Sequence, residues 1–174
     1  MKKLHELQLV KRTPDLAWAA MIASHLAMRR KRAVVGPEEY FGGMYLAARD
    51  ALVPYWHDLR QLDQLAREVG LDEGPPWMYC MEFYEKFRRN RFAGVGCPYS
   101  ADVTGALTDA ARLLLRDRDG RSLRPSLTIE CALLALATAA RADFRARLRE
   151  SGIDLSRLRN SVIRRRPPSR GKRC

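Results

Sequence analysis

The amino-acid sequence predicts an all-α fold: a duplicated helical bundle of about eight helices with pseudo-two-fold symmetry. Apolar residues recur with helical spacing along most of the chain, and no alternating strand pattern is evident. Proline and glycine residues stand where helices would begin and end. Two parts of the chain also share one plan, in which a helix leads to a glutamate at the start of an apolar helix and then to a helix ending in Gly-(Leu/Ile)-Asp.

The first half begins at Thr13-Pro14-Asp15, where a cap residue, a proline and an acid mark a helix start. The small apolar residues that follow predict close packing against a partner helix. Gly36-Pro37-Glu38-Glu39 indicates a second helix start by the same reasoning. Because glycine weakens a helix, Gly42-Gly43 indicates either a bend or the close approach of another backbone. We expect a third helix over 57–69 that ends at Gly70.

The middle of the chain contains its clearest break, Gly74-Pro75-Pro76. An aromatic and basic helix is expected after it, carrying Trp77 and Tyr79. These aromatic residues either pack in the core or form a peptide-binding or stacking surface.

The second half repeats the helical pattern from about residue 102. Each expected helix start has candidate cap residues: Ser100 or Asp102, Ser126 or Thr128 ahead of Glu130, and Asp154 for the final helix.

Sequence motifs that perform chemistry are missing from the 174 residues. We find no phosphate-binding loop, nucleophile motif or zinc-protease motif, and therefore expect no catalysis and no cofactor. The cysteines are too far apart to predict a metal site, and we expect them reduced and, where buried, simply packed: Cys80, Cys97, Cys131 and Cys174.

The formal net charge of +12 is concentrated towards the end of the chain. A solvated, disordered tail is one interpretation of this segment; an electrostatic tether for nucleic acid, an acidic protein or a membrane surface is the other. The basic residues of the predicted tail at 164–174 are Arg164, Arg165, Arg166, Arg170, Lys172 and Arg173.

The apolar runs are all shorter than the roughly 18 residues that a membrane-spanning helix requires. The N-terminal stretch is interrupted by charged residues such as Glu6 and Lys11, which is not typical of a signal peptide. We therefore expect a cytoplasmic protein that is not inserted in a membrane.

The segments LTIECALLAL at 127–136 and LRESGIDL at 148–155, with VGPEEYF at 35–41 and LAREVGLD at 65–72, resemble the Clp-N repeat. In tandem, that repeat forms the N-terminal domain of Clp-type AAA+ unfoldases. The resemblance implies a double domain over 1–163, with repeat one at about 13–75, a connecting helix and loop at about 76–101, and repeat two at about 102–163. Since no ATP-binding loop is present, it implies a free-standing domain without the motor.

What the resemblance implies for function is a non-enzymatic interaction module, an adaptor or regulator that binds a Clp-type unfoldase, adaptor or substrate. Some Clp-N domains recognise phosphoarginine, and by resemblance Glu38 and Glu130 would bind such a ligand. The same Glu38 and Glu130 carboxylates can also serve only to stabilise helix starts. We expect an interaction surface at Glu39, Tyr40, Trp77 and Tyr79. The alternative is a basic, all-α protein associated with nucleic acid.

Overall fold

The computed structural model describes residues 10–71, 97–116 and 126–164. These ranges are mostly helical, which agrees with the predicted all-α class. The predicted two-fold repeat symmetry stays a prediction. The predicted connecting helix after residue 76 and the tail beyond Arg164 lie outside the described residues. The elements, in chain order, are β1 (Lys11–Arg12), α1 (Pro14–Arg29), α2 (Pro37–Leu52), a 3-10 turn (Val53–Tyr55), α3 (Leu59–Glu68), α4 (Ala101–Arg116), β2 (Ser126–Leu127), α5 (Ile129–Ala139), α6 (Ala142–Glu150) and α7 (Leu155–Arg164).

The predicted helix boundaries rest on local signals, and several of these signals act as expected. The hydroxyl of Ser100 accepts the N–H of Val103, and that of Thr128 accepts the N–H of Cys131. Gly70 and Gly152 have φ angles of 75° and 74°, the left-handed conformation that ends a helix most readily at glycine. These residues were therefore correctly identified from the sequence.

A short parallel sheet is one feature that the sequence analysis did not predict. Strand β1 pairs with β2, and an isolated parallel bridge joins Val35 to Tyr99. Each paired segment is the extended stretch just before a helix. Two residues are too few to show an alternating pattern, so the pairing could not be read from the sequence.

Helices α1 and α2 pack very closely, and Gly43 permits it. A Cβ at Gly43 would fall on the carbonyl oxygen of Ala19 and lie 2.9 Å from the nitrogen of Ala23. Of the two explanations for Gly42-Gly43, the close approach of another backbone holds at Gly43, whereas a Cβ at Gly42 would meet the side chains of Leu26 and Leu71. The irregular residue of α2 is instead Ala48, with φ of −154° and ψ of 50°.

The two halves share one core. The ring of Phe41 on α2 lies 6.1 Å from the ring of Trp56 and 6.1 Å from that of Phe144 on α6. Trp56 also forms an antiparallel bridge with Ile153, and its indole N–H donates to the hydroxyl of Ser151 at 3.1 Å. The chain after α2 is therefore joined to the chain before α7.

Candidate functional site

The two glutamates singled out from the sequence occupy the same position in their helices. Glu38 is the second residue of α2, after the cap Gly36, and Glu130 is the second residue of α5, after the cap Thr128. Both are buried. A carboxylate in the first helical turn faces the positive end of the helix dipole, so each position favours a negative charge.

Glu38 is already bound by two guanidinium groups of the same chain. Arg141 and Arg147 both donate to its Oε1, at 2.8 Å and 2.9 Å. Its Oε2 is buried and has no hydrogen-bond partner among the described residues. Arg141 also lies 3.8 Å from Asp102 and 3.5 Å from Asp143, so the cluster contains more than one acid. Glu130 also interacts with other groups of the protein, so it is not free.

The structure buries Glu39 and Tyr40, two of the residues that the sequence analysis assigned to an interaction surface. Both side chains are fully buried. Glu39 pairs with Arg30 at 2.8 Å and Arg32 at 3.2 Å, and its Oε2 accepts the N–H of Gly36. These contacts neutralise the charge and complete the helix start, so Glu39 has a structural role.

Tyr40 lies against Tyr99, edge to face, with ring centroids 5.5 Å apart. Burial, followed by the charge of Tyr99, raises the pKa of Tyr40 above its usual range. The other two residues of the predicted surface, Trp77 and Tyr79, lie outside the described residues, as does the predicted tail apart from Arg164 at the end of α7.

An apolar groove lies between α4, α5 and α7, and the sequence analysis did not identify it. Its volume is about 310 Å³. Leu113 and Ile163 stand at its edge and are 52% and 50% exposed. Cys131 and Leu134 from α5 also line it, with polar groups from Asp109, Thr138 and Arg159. We refer to it as the α4–α5–α7 groove.

A signal for this groove was present in the run Leu113-Leu114-Leu115, which is wider than one buried helix face. Periodicity alone could not show that Leu113 is left uncovered, because that depends on how far α4 lies from α5 and α7. The distances between the three packed helices therefore determine whether the groove exists.

Within residues 10–71, 97–116 and 126–164, no three or more His, Cys, Asp or Glu side chains are grouped so that they could hold a metal ion. His25 on α1 is buried and takes part in an interaction. Within these ranges, no helix has both the length and the apolar character needed to cross a membrane.

Comparison with known proteins finds no match among family models, curated proteins or solved structures.

Proposed function

We propose that this protein is a non-enzymatic interaction module that binds an apolar segment of a protein partner in the α4–α5–α7 groove. The observation that carries the proposal is the pair Leu113 and Ile163, both about half exposed beside a concave apolar surface. Exposed apolar groups gathered in one concave site are typical of protein interaction sites, whereas scattered ones are not. Arg159 and Asp109 at the edge would orient the bound segment.

The proposed partner class is a Clp-type unfoldase, its adaptor or its substrate, and it rests on the resemblance to the Clp-N repeat. Reciprocal strand pairing supports this kinship. The segment before α1 pairs with the segment before α5, and Val35 before α2 pairs with Tyr99 before α4. A two-fold axis relating α1–α2 to α4–α5 would produce this exchange. An experimental structure in which the two helix pairs cannot be superimposed would remove that support.

Glu38 and Glu130 support the proposed binding function less strongly than the groove does. A ligand guanidinium at Glu38 would meet Oε1 already bound by Arg141 and Arg147. It would have to displace both groups or reach the buried Oε2. We therefore propose that Glu38 mainly holds α6 against α2, and that recognition of a guanidinium ligand is secondary.

The test is to place a charge in the groove and measure capture of a purified Clp-type unfoldase by the immobilised full-length protein. Leu113→Glu should abolish capture, because burying an unpaired carboxylate opposes binding. Leu59→Glu is the matched control, since Leu59 is 41% exposed on α3, outside the groove. Equal capture by wild type and both variants would contradict the groove as the binding site. No capture by the wild type would contradict the partner class.

The nucleic-acid alternative keeps its basis in the net charge of +12. One basic run in the described part of the chain, residues 29–32, is partly neutralised, because Arg30 and Arg32 are paired with the buried Glu39. Binding of duplex DNA that collapses between about 50 and 200 mM salt would favour the alternative.

A further inference from the structure

Helix α7 forms one wall of the α4–α5–α7 groove, although part of its support comes from the first half of the chain. Arg159, Val162 and Ile163 on this helix line the groove. Leu158 is fully buried, and the helix contacts the 3-10 turn that follows α2. The position of this groove wall therefore depends on residues distant in sequence.

Tyr55, at the end of the 3-10 turn, holds α7 at two points. Its carbonyl oxygen accepts the N–H of Asp154 at 2.7 Å, just before the helix begins. Its hydroxyl donates to the hydroxyl of Ser161 at 2.8 Å, about two turns further along. Ser161 directly precedes Val162 and Ile163, so the second bond lies at the turn of α7 that forms the groove wall.

Tyr55 is 5% exposed, and its bond to the partly exposed Ser161 is partly buried, so its hydroxyl would lose a partner in a largely shielded place if Ser161 moved away. A buried hydroxyl without a partner is costly, and the bond therefore resists displacement of α7 more than an exposed bond would. Apolar contacts such as those of Leu158 allow sliding, whereas a hydrogen bond selects one position because it depends on direction.

We propose that Tyr55 is a positioning residue that sets the width of the α4–α5–α7 groove through its bond to Ser161. This inference rests on the proposed function, since a positioning role matters only if the groove binds a partner. Tyr55 lies in the first half of the chain, whereas the residues that line the groove all lie in the second half. The first half would therefore help to shape a site in the second half. Loss of the bond should let α7 move away from α5 and expose the groove floor.

Cys131 on the groove floor provides a readout that needs no partner. It is 9% exposed and lines the groove. In the folded full-length protein, Tyr55→Phe should raise the rate of Cys131 alkylation by iodoacetamide about fivefold, the factor that corresponds to one lost neutral hydrogen bond. Peptide mass mapping separates Cys131 from the other cysteines, and Cys97, which is partly exposed, should keep its rate.

Tyr45→Phe is the matched control. The hydroxyl of Tyr45 donates to Asp63 at 2.8 Å, in a cluster between α2 and α3 that does not line the groove. This variant also loses a tyrosine hydrogen bond, so an effect of general destabilisation would appear in it too. Ser161→Ala removes the same bond as Tyr55→Phe from the other side, and the double variant should react no faster than either single one.

An unchanged Cys131 rate in both Tyr55→Phe and Ser161→Ala would overturn the positioning role, as would an equal increase in Tyr45→Phe. The outcomes separate the two proposals. Failure of the wild type to capture the unfoldase contradicts the proposed function, while the alkylation rates still decide the role of Tyr55. Capture that Leu113→Glu abolishes, combined with unchanged alkylation rates, contradicts only the role of Tyr55.

Discussion

The helix pairs α1–α2 and α4–α5 have similar beginnings and pack differently. Leu26 is the thirteenth residue of α1, and Leu113 is the thirteenth residue of α4. Leu26 is 4% exposed and packs beside Gly42, whereas Leu113 is 52% exposed at the edge of the groove.

The residues that follow the two glutamates account for this difference. Gly42 and Gly43 come four and five residues after Glu38, while Leu134 and Ala135 come four and five residues after Glu130. Glycine lets α1 lie against the backbone of α2. At the corresponding positions of α5, Leu134 and Ala135 line the open groove. The two helix pairs therefore differ at these positions: glycines accompany a close contact in α1–α2, and larger side chains line an open groove in α4–α5.

The largest expected effect compares the two leucines. Leu26→Ala should lower the free energy of unfolding by about 3 kcal/mol, because it removes a buried side chain and leaves a cavity. Leu113→Ala should lower it by less than about 1 kcal/mol, because half of the side chain is already in water. Urea denaturation of both variants measures the difference. Equal losses would show that Leu113 is covered in solution and that the groove is closed.

Gly43 on α2 and Gly105 on α4 give a second comparison. Gly43→Ala should destabilise the protein by about 2 kcal/mol, because the added methyl group meets the backbone of Ala19 and Ala23. A Cβ added to Gly105 on α4 would meet no described atom within 4 Å apart from its own stretch of helix. Gly105→Ala should therefore stabilise the protein by up to about 1 kcal/mol through helix propensity. Thermal unfolding monitored by circular dichroism measures both, and stabilisation by Gly43→Ala would mean that α1 and α2 lie further apart.

The smallest expected effect concerns the first half and its dependence on pH. Arg49 on α2 holds Asp63 on α3 with contacts of 2.9 Å and 3.0 Å. Burial acts to raise the pKa of Asp63, but the hydrogen bonds from Tyr45 and Arg49 and the nearby positive charges outweigh it and lower the pKa below its ordinary 3.8. Asp63 therefore contributes stability above pH 3.8 that is lost as the pH falls through the lowered folded-state pKa.

The measurement is the difference in unfolding free energy between the wild type and Asp63→Asn from neutral to acidic pH. This difference should stay constant above the ordinary carboxyl range and shrink below it. A difference that grows on acidification would contradict the assigned direction of the pKa shift. Asp109→Asn is a suitable control, because Asp109 is 60% exposed on α4 and its pairing with Arg112 should contribute little.

The candidate site was predictable only in part. Both glutamates were placed correctly at helix starts, because a glycine or threonine cap and the following acid act within one turn. The partners of Glu38 could not be anticipated, since Arg141 and Arg147 lie 103 and 109 residues away in sequence. Glu39 and Tyr40 were assigned to the surface because the sequence did not show that Arg30, Arg32 and Tyr99 would cover them.

The sequence by itself determined the helical fold class and the ends of many helices, because the cap, proline and glycine signals act over a few neighbouring residues. Only the tertiary structure decided which faces are covered: the close α1–α2 contact, the strand pairing, the arginines on Glu38 and the open α4–α5–α7 groove. The physical reason is that packing depends on the distance between helices that are remote in sequence, and that distance is set by the side chains of both partners together.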